Sequence, residues 1–292
     1  MRIIVTGAEG FAGRWLVEML ATQHTVLPWS RARVDITDAA GCAAALAEDR
    51  PDALLHLAAL THPGDAARDP ARAHAVNVTG TRNVLAPLPA AVPALVVSTC
   101  HVYGPPQQLP IDEHHPLAPR GAYAITKREA ERIALDVHPR TVIARAFHHT
   151  GPGQSPRYAL ADWAAQIHAD PTAAITAGDV DVRRDYSDVR DIVAGYWLLL
   201  SRGTPGRAYN LCSGQSPTLR QLIGAMTDRP VLTDPARLRA ADVPDIRGDP
   251  TAAEALGWRR SHVLTDTLRA MASGSDGPAP PAGSPSPHGP PR

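Results

Sequence analysis

The first thirteen residues restrict this chain more than any other part of it. Arg2–Thr6 is a short apolar run that ends directly in Gly7-Ala-Glu-Gly10-Phe-Ala-Gly13, and a helical apolar pattern follows over Phe11–Ala21. That order reads as a buried strand, a glycine turn and a helix. Glycines at this spacing allow a tight turn, close approach of backbone to a pyrophosphate, and close packing of helix on strand. The helix start also offers free N–H groups to phosphate oxygens. Gly7, Gly10, Phe11 and Gly13 are therefore read as a dinucleotide-binding turn; without the flanking strand and helix the triplet would be an ordinary turn.

The remainder continues in the same style. Apolar runs at Thr25–Trp29, 53–57, 94–98 and 141–145 read as strands, and helical patterns lie over 39–48, 69–85 and 123–136. Strands alternating with helices indicate an α/β fold with a Rossmann-type, doubly wound parallel sheet. The right-handed crossover rule leaves few topologies for it. After Thr150 the pattern changes: helices at 157–168, 188–201 and Leu219–Met226 mix with short strands at 174–176 and Ala208–Leu211. The predicted organisation is a Rossmann domain over 1–150, completed by parts of 178–215, with a smaller interleaved substrate lobe over 151–272. Residues 273–292 are mostly Gly, Pro and Ser and are predicted to be disordered.

Bulk properties exclude several classes. Lys plus Arg equals Asp plus Glu at 29 each, which argues against nucleic acid or an anionic membrane as partner. Cys42, Cys100 and Cys212 are scattered and form no CxxC pair, so neither a disulfide framework nor a metal site is expected. The N-terminus lacks a secretory pattern, and the apolar run at 196–200 is too short to span a bilayer. A soluble, cytoplasmic protein is the expectation. One bias stands out: 28 arginines accompany a single lysine, Lys127.

A carboxylate ~20 residues beyond the glycine turn commonly binds the ribose hydroxyls of NAD. Here the second strand ends Pro28-Trp29-Ser30-Arg31, without an acid. Ser30 and Arg31, with Arg33 nearby, suit a 2′-phosphate instead. NADP(H) is thus favoured, with NAD(H) as the alternative. Asp35 and Ile36 fall where a loop reaches the adenine. Leu57, Ala58 and Ala59 close the third strand, where small residues let a dinucleotide pass.

Tyr123 and Lys127 are four apart on a helical pattern and share a face. An ammonium near a phenol favours phenolate and lowers its pKa from ~10, which suits proton exchange with a carbinol or ketone oxygen. Ser98-Thr99-Cys-His-Val-Tyr-Gly104 ends the fourth strand. Ligands of open α/β sheets sit outside the carboxyl ends of the strands, so Thr99 is expected to hydrogen-bond the same oxygen; capping of the strand end is its alternative role.

The glycine turn, HLAA at 56–59, the segment around Asn77, STxxVYG and YxxxK together resemble the extended short-chain dehydrogenase/reductases that act on nucleotide sugars. The resemblance covers residues 1 to about 270. Arg145-Ala-Phe-His-His-Thr-Gly-Pro-Gly-Gln154 and the stretch Asp181 to Asp191 are similar to segments of GDP-mannose 4,6-dehydratases and GDP-6-deoxy-4-keto-mannose reductases. Asp234-Pro-Ala-Arg-Leu-Arg239 is similar to a reductase segment. This implies a nucleotide-diphosphate sugar as substrate, GDP-linked, and a homodimer formed through the YxxxK helix and the one before it. It implies His149 beside the cofactor, and Thr61, His101, His148, Arg157, Arg184 and Arg239 beside the substrate.

Two departures bear on the chemistry. His101 stands where the dehydratases carry a glutamate base, and His148 where the family has asparagine. Loss of the acid disfavours dehydration. The expected reaction is NADPH-dependent reduction of a 4-keto-6-deoxyhexose, giving a GDP-D-rhamnose-type product. A 4-epimerase using the same Tyr–Lys pair is the first alternative, a 4,6-dehydratase the second, and a non-catalytic dinucleotide sensor the third.

Overall fold

A period of two in the strands builds the core. In β1 (Arg2–Thr6) Ile3 and Val5 join one apolar cluster while Ile4 joins another. The same split recurs in β3 (Ala53–His56), where Leu55 and Leu54 part, and in β5 (Thr141–Ala146), where Val142 and Ala144 part from Ile143. Successive side chains of a strand point to opposite faces. A sheet covered on both faces therefore carries continuous apolar runs, as here.

The computed structural model describes residues 1–170, 172–238, 243–275 and 277–278. The first half supplies α1 (Phe11–Ala21), β2 (Thr25–Trp29), α2 (Ala39–Asp49), α3 (Pro63–Arg68), α4 (Pro70–His74), α5 (Gly80–Leu85) and β4 (Ala94–Thr99), then α6 (Gly121–Val137). The second half supplies β6 (His148–Thr150), α7 (Ala159–Ala169), β7 (Ile175–Ala177), β8 (Arg183–Arg184) and β9 (Tyr186–Asp188). It continues with α8 (Val189–Arg202), β10 (Ala208–Leu211), α9 (Leu219–Met226), β11 (Val231–Thr233), β12 (Asp245–Ile246), α10 (Thr251–Ala255) and α11 (Leu264–Ala272).

Six strands form one parallel sheet in the order β10-β5-β4-β3-β1-β2. Helices α1 and α8 cover one face through Leu16, Leu20, Ile192 and Leu199. Helices α2, α5 and α6 cover the other through Leu46, Val84, Leu85 and Ala134. Each such Leu or Ile side chain contributes roughly 1.5–3 kcal/mol when fully buried. This is the doubly wound architecture expected, and β10 completes it from beyond residue 200. The strand order reverses at β1, so a crevice opens outside the carboxyl ends of β1, β3 and β4.

A separate apolar cluster holds α7, α9 and α11 together with β7, through Leu160, Trp163, Ile175, Leu222, Leu268 and Met271. The pairs β7–β11, β8–β12 and β6–β9 are short and parallel. Helix α9 matches the expected span because Thr218 and Gln221 form a capping box. Helix α8 starts one residue later than expected because Asp188 caps it, accepting from the Arg190 N–H.

Other boundaries differ. Strand β3 ends at His56, α6 starts at Gly121, and α7 starts at Ala159. Helices α3, α10 and α11 have no counterpart among the sequence expectations. The single helix expected over 69–85 is α4 and α5 joined by a π-helical turn at Ala75–Thr79. The expected disordered tail lies almost wholly outside the described residues. Among the described residues, no helix is long and apolar enough to cross a membrane.

Candidate active site

The glycine turn is strained toward one purpose. Gly7 has φ +68, and a Cβ there would lie 2.7 Å from the Ala58 nitrogen. A Cβ on Gly13 would lie 2.1 Å from the Gly7 carbonyl oxygen. No larger residue fits either place, so helix and turn are held at their closest approach. Gly10 caps α1 without a side chain of its own, which leaves the first N–H groups for an anion. Phe11 stacks on His149, ring centroids 6.1 Å apart and planes 7° apart. This brings His149 to the turn, as expected of a cofactor-side residue.

A buried hydrogen-bond chain fixes the loop beyond β3. The Ala58 N–H donates to Thr6 Oγ1 at 3.1 Å, and Thr6 Oγ1 lies 2.8 Å from His56 Nδ1. His56 Nε2 lies 3.0 Å from Thr81 Oγ1, which donates to the Asn77 carbonyl at 2.7 Å. A hydroxyl has one proton. Thr81 has spent its proton, so His56 Nε2 must donate and Nδ1 must accept from Thr6. The ring is therefore neutral, and burial, followed by the charge of Lys127, pushes its pKa down to about 3. The Asn77 amide continues the chain, bonding both backbone groups of Leu60 and the Thr126 hydroxyl. The π-helical turn carries Asn77 to this junction, an arrangement often seen at functional sites. Thr6, His56, Asn77 and Thr81 were given no role from sequence; the available signal was polar residues at buried register positions.

At the end of β2, Ser30 is half-buried and Arg31 exposed. Ser30 Oγ accepts from the Arg33 N–H, and the Arg33 guanidinium is taken by Asp49 at 2.6 Å. Arg33 is thus an anchor of that corner, and Arg31 remains the outward cation. Asp35 closes a local turn on Thr37, which, with Arg31, holds its carboxyl below the ordinary value. Ile36 is buried in the core behind it.

Thr99 is buried at the end of β4 and accepts from the His101 N–H at 3.3 Å. Its hydroxyl also favours the Tyr123 phenolate by hydrogen bonding. It thus both caps the turn and meets the tyrosine. Burial dominates, however, and pushes the phenol pKa up. The net shift is thus opposite to the one expected from the sequence. Lys127 Nζ donates to the Val97 carbonyl at 2.7 Å, and burial lowers its pKa to about 8 against the opposing charge of Glu131.

The substrate-side residues separate into two groups. His101 lies edge-on to Tyr123 with centroids 6.0 Å apart, and 5.6 Å from His148, which in turn lies 5.2 Å from Tyr186. Arg184, on β8, is buried, and its Nη1 donates to the Arg183 carbonyl at 2.7 Å. Further out, Thr61 Oγ1 lies 3.1 Å from the Tyr158 hydroxyl, and Arg157 bonds Asp65 at 2.7 Å. These last contacts tie the segment after β3 to the start of α7. Arg239 falls outside the described residues.

A family model described as NAD dependent epimerase/dehydratase family matches residues 3–212. The GDP-6-deoxy-D-mannose reductase of Pseudomonas aeruginosa is 36% identical over 295 residues, covering 93% of this chain and 96% of its own length. The solved structure of RMD from Pseudomonas aeruginosa complexed with NADPH superposes with a TM-score of 0.85 at 34% identity, over 94% and 98% of the two chains. A UDP-glucose 4-epimerase from Thermus thermophilus, in complex with NAD, gives a TM-score of 0.81 at 26% identity over 94% and 99%.

Proposed function

The chain belongs to the NAD dependent epimerase/dehydratase family, and we propose that it is an NADPH-dependent reductase of a GDP-linked 4-keto-6-deoxyhexose. The observation that carries this reading is the pairing of Tyr123 with Thr99 at the carboxyl end of β4, in a chain similar over nearly its whole length to a GDP-6-deoxy-D-mannose reductase. A phenol at this place can give a proton to a developing alkoxide. Similarity to a GDP-6-deoxy-D-mannose reductase over nearly the whole of both chains supports the sugar and the nucleotide.

NADP(H) fits the cradle, because only glycine fits at residues 7 and 13 and α1 starts without a side-chain cap. When bound, it supplies the hydride. Gly7, Gly10, Phe11 and Gly13 bind the pyrophosphate, and Ser30 and Arg31 the 2′-phosphate, as the exposed guanidinium just beyond β2 suggests. Asp35 and Ile36 border the adenine, and Leu57, Ala58, Ala59 and His149 line the passage. Lys127 uses one of three N–H donors on Val97, which leaves two for ribose hydroxyls.

On the substrate side, Thr99 orients the ketone oxygen and Tyr123 protonates it. His101 and His148 border the sugar. Arg184, Arg157, Arg239 and Thr61 serve the diphosphate and nucleotide ribose. Guanidinium groups suit phosphate oxygens because they bind them in pairs. A homodimer through α5 and α6 belongs to this reading, since α6 exposes Ile125 and Leu135. So does a cytoplasmic location, where nucleotide sugars and NADPH are found.

Incubation with NADPH and GDP-4-keto-6-deoxymannose tests the proposal. The expected result is sugar-dependent loss of nicotinamide absorbance, with a 4-hydroxy product by NMR. No loss of absorbance overturns it. Turnover of a nucleotide sugar without net NADPH consumption replaces it with a 4-epimerase.

A further inference from the structure

Cys100, His101 and His148 come from two strand ends that are adjacent in the sheet, β4 and β5 with its continuation β6. Their ligating atoms all lie within 4.8 Å of one another. We propose that these three side chains bind one soft divalent cation of the Zn2+ class, on the sugar side of Tyr123.

The donor set is one thiol and two imidazoles, a combination that soft and borderline cations prefer and that Mg2+ or Ca2+ does not. Tetrahedral Zn–S and Zn–N bonds place such donors about 3.3–3.6 Å apart. The observed spread closes with less than about 1.5 Å of side-chain movement. His148 is prepared for this role. Its Nδ1 is buried and has no hydrogen-bond partner. The ring also meets the Asp185 backbone, whose hydrogen bond favours a proton on it. Imidazoles that ligate metals commonly carry their second N–H on a backbone carbonyl, which fixes the tautomer. An orphaned buried nitrogen is unusual and calls for a ligand.

Cys100 is buried at 4% exposure and lies at the bottom of the cluster, while His101 and His148 are half-buried above it. A cation therefore enters past the imidazoles and keeps a fourth position open to the crevice. On binding, the Cys100 thiol forms an S–metal bond and releases its proton to solvent. Sequence spacing cannot reveal this site, because 47 positions separate His101 from His148.

The test uses the full chain, reduced and stripped with a chelator, titrated with Co2+ alone. One equivalent is expected to produce tetrahedral visible bands and a near-ultraviolet thiolate-to-cobalt band, both removed by Zn2+. Cys100→Ser should lose the near-ultraviolet band. His148→Gln should weaken Co2+ binding by at least about tenfold. Cys42→Ser and Cys212→Ser should change neither. Absence of the bands, their persistence in Cys100→Ser, or their loss in Cys212→Ser overturns the proposal. Circular dichroism checks the fold of each variant. If Cys100→Ser does not fold, unchanged affinity in His148→Gln overturns the proposal by itself. The readout needs no turnover, so it stands apart from the reductase reading.

Discussion

The two sides of the crevice are built differently. The proposed cofactor side comes mainly from residues 6 to 81, joined by Lys127 and by His149 through Phe11, and its central feature is the continuous chain from Ala58 through Thr6, His56 and Thr81 to Asn77. The direction of every hydrogen bond in that chain is determined. The proposed sugar side gathers residues 61, 99–101, 148, 157 and 184; each side holds a buried polar atom without a hydrogen-bond partner, Glu9 Oε1 in the glycine turn and His148 Nδ1 here. One side is fixed by a single hydrogen-bond chain that crosses from β1 through β3 to α5. The other is assembled by the order of β4, β5 and their continuations in the sheet.

Four substitutions probe that contrast, beginning with the largest effect. Tyr123→Phe removes the proton donor where the two sides meet; kcat should fall by about 10²–10⁴ while NADPH affinity, measured by fluorescence, stays within a few-fold. Retained turnover would move the acid elsewhere. Gly13→Ala drives a Cβ against the Gly7 carbonyl and should weaken NADPH binding by roughly 100-fold, on the order of 3 kcal/mol. Unchanged affinity would show that the turn is not the phosphate cradle. Arg31→Ala should reduce the NADPH-over-NADH preference by about tenfold, the worth of one charged hydrogen bond. An unaltered ratio of Michaelis constants would remove Arg31 from the 2′-phosphate.

His56→Gln gives the smallest effect and tests the neutral ring. Its pKa is about 3 folded against roughly 6.5 unfolded. Between those values the unfolded chain binds one more proton, so stability falls as pH drops below 6.5, by about 1.4 kcal/mol per pH unit. The variant should lose that increment from the slope of unfolding free energy against pH between 4 and 6. An identical slope would mean the ring is already charged in the fold.

Lys127 belongs to both sides and shows where sequence reasoning succeeds and fails. It is the only lysine among 28 arginines, and it is buried with its Nζ on the Val97 carbonyl. Lys127→Arg should fold yet lose most turnover, because a planar fork cannot replace a compact ammonium in this buried place; near-normal kcat would make the lone lysine a coincidence. The net shift of the phenol runs opposite to the one expected. Burial, which is a property of the packed chain, outweighs the neighbouring groups and raises the tyrosine pKa.

The glycine turn, the parallel sheet, the span of α9 and the pairing of positions 123 and 127 were legible because each rests on local sterics. Glycine alone tolerates φ near +68 with a neighbour's backbone at 2.7 Å, and residues four apart always share a helix face. The π-helical turn, the three unforeseen helices and the role of Asn77 were not legible, because they answer to partners far along the chain. The sequence by itself determined a glycine turn of fixed shape between strand and helix and placed Tyr123 and Lys127 on one helix face. Only the tertiary structure decided which of thirteen histidines meet at the sugar side, since strand order and register bring positions 101 and 148 together and no local pattern encodes either.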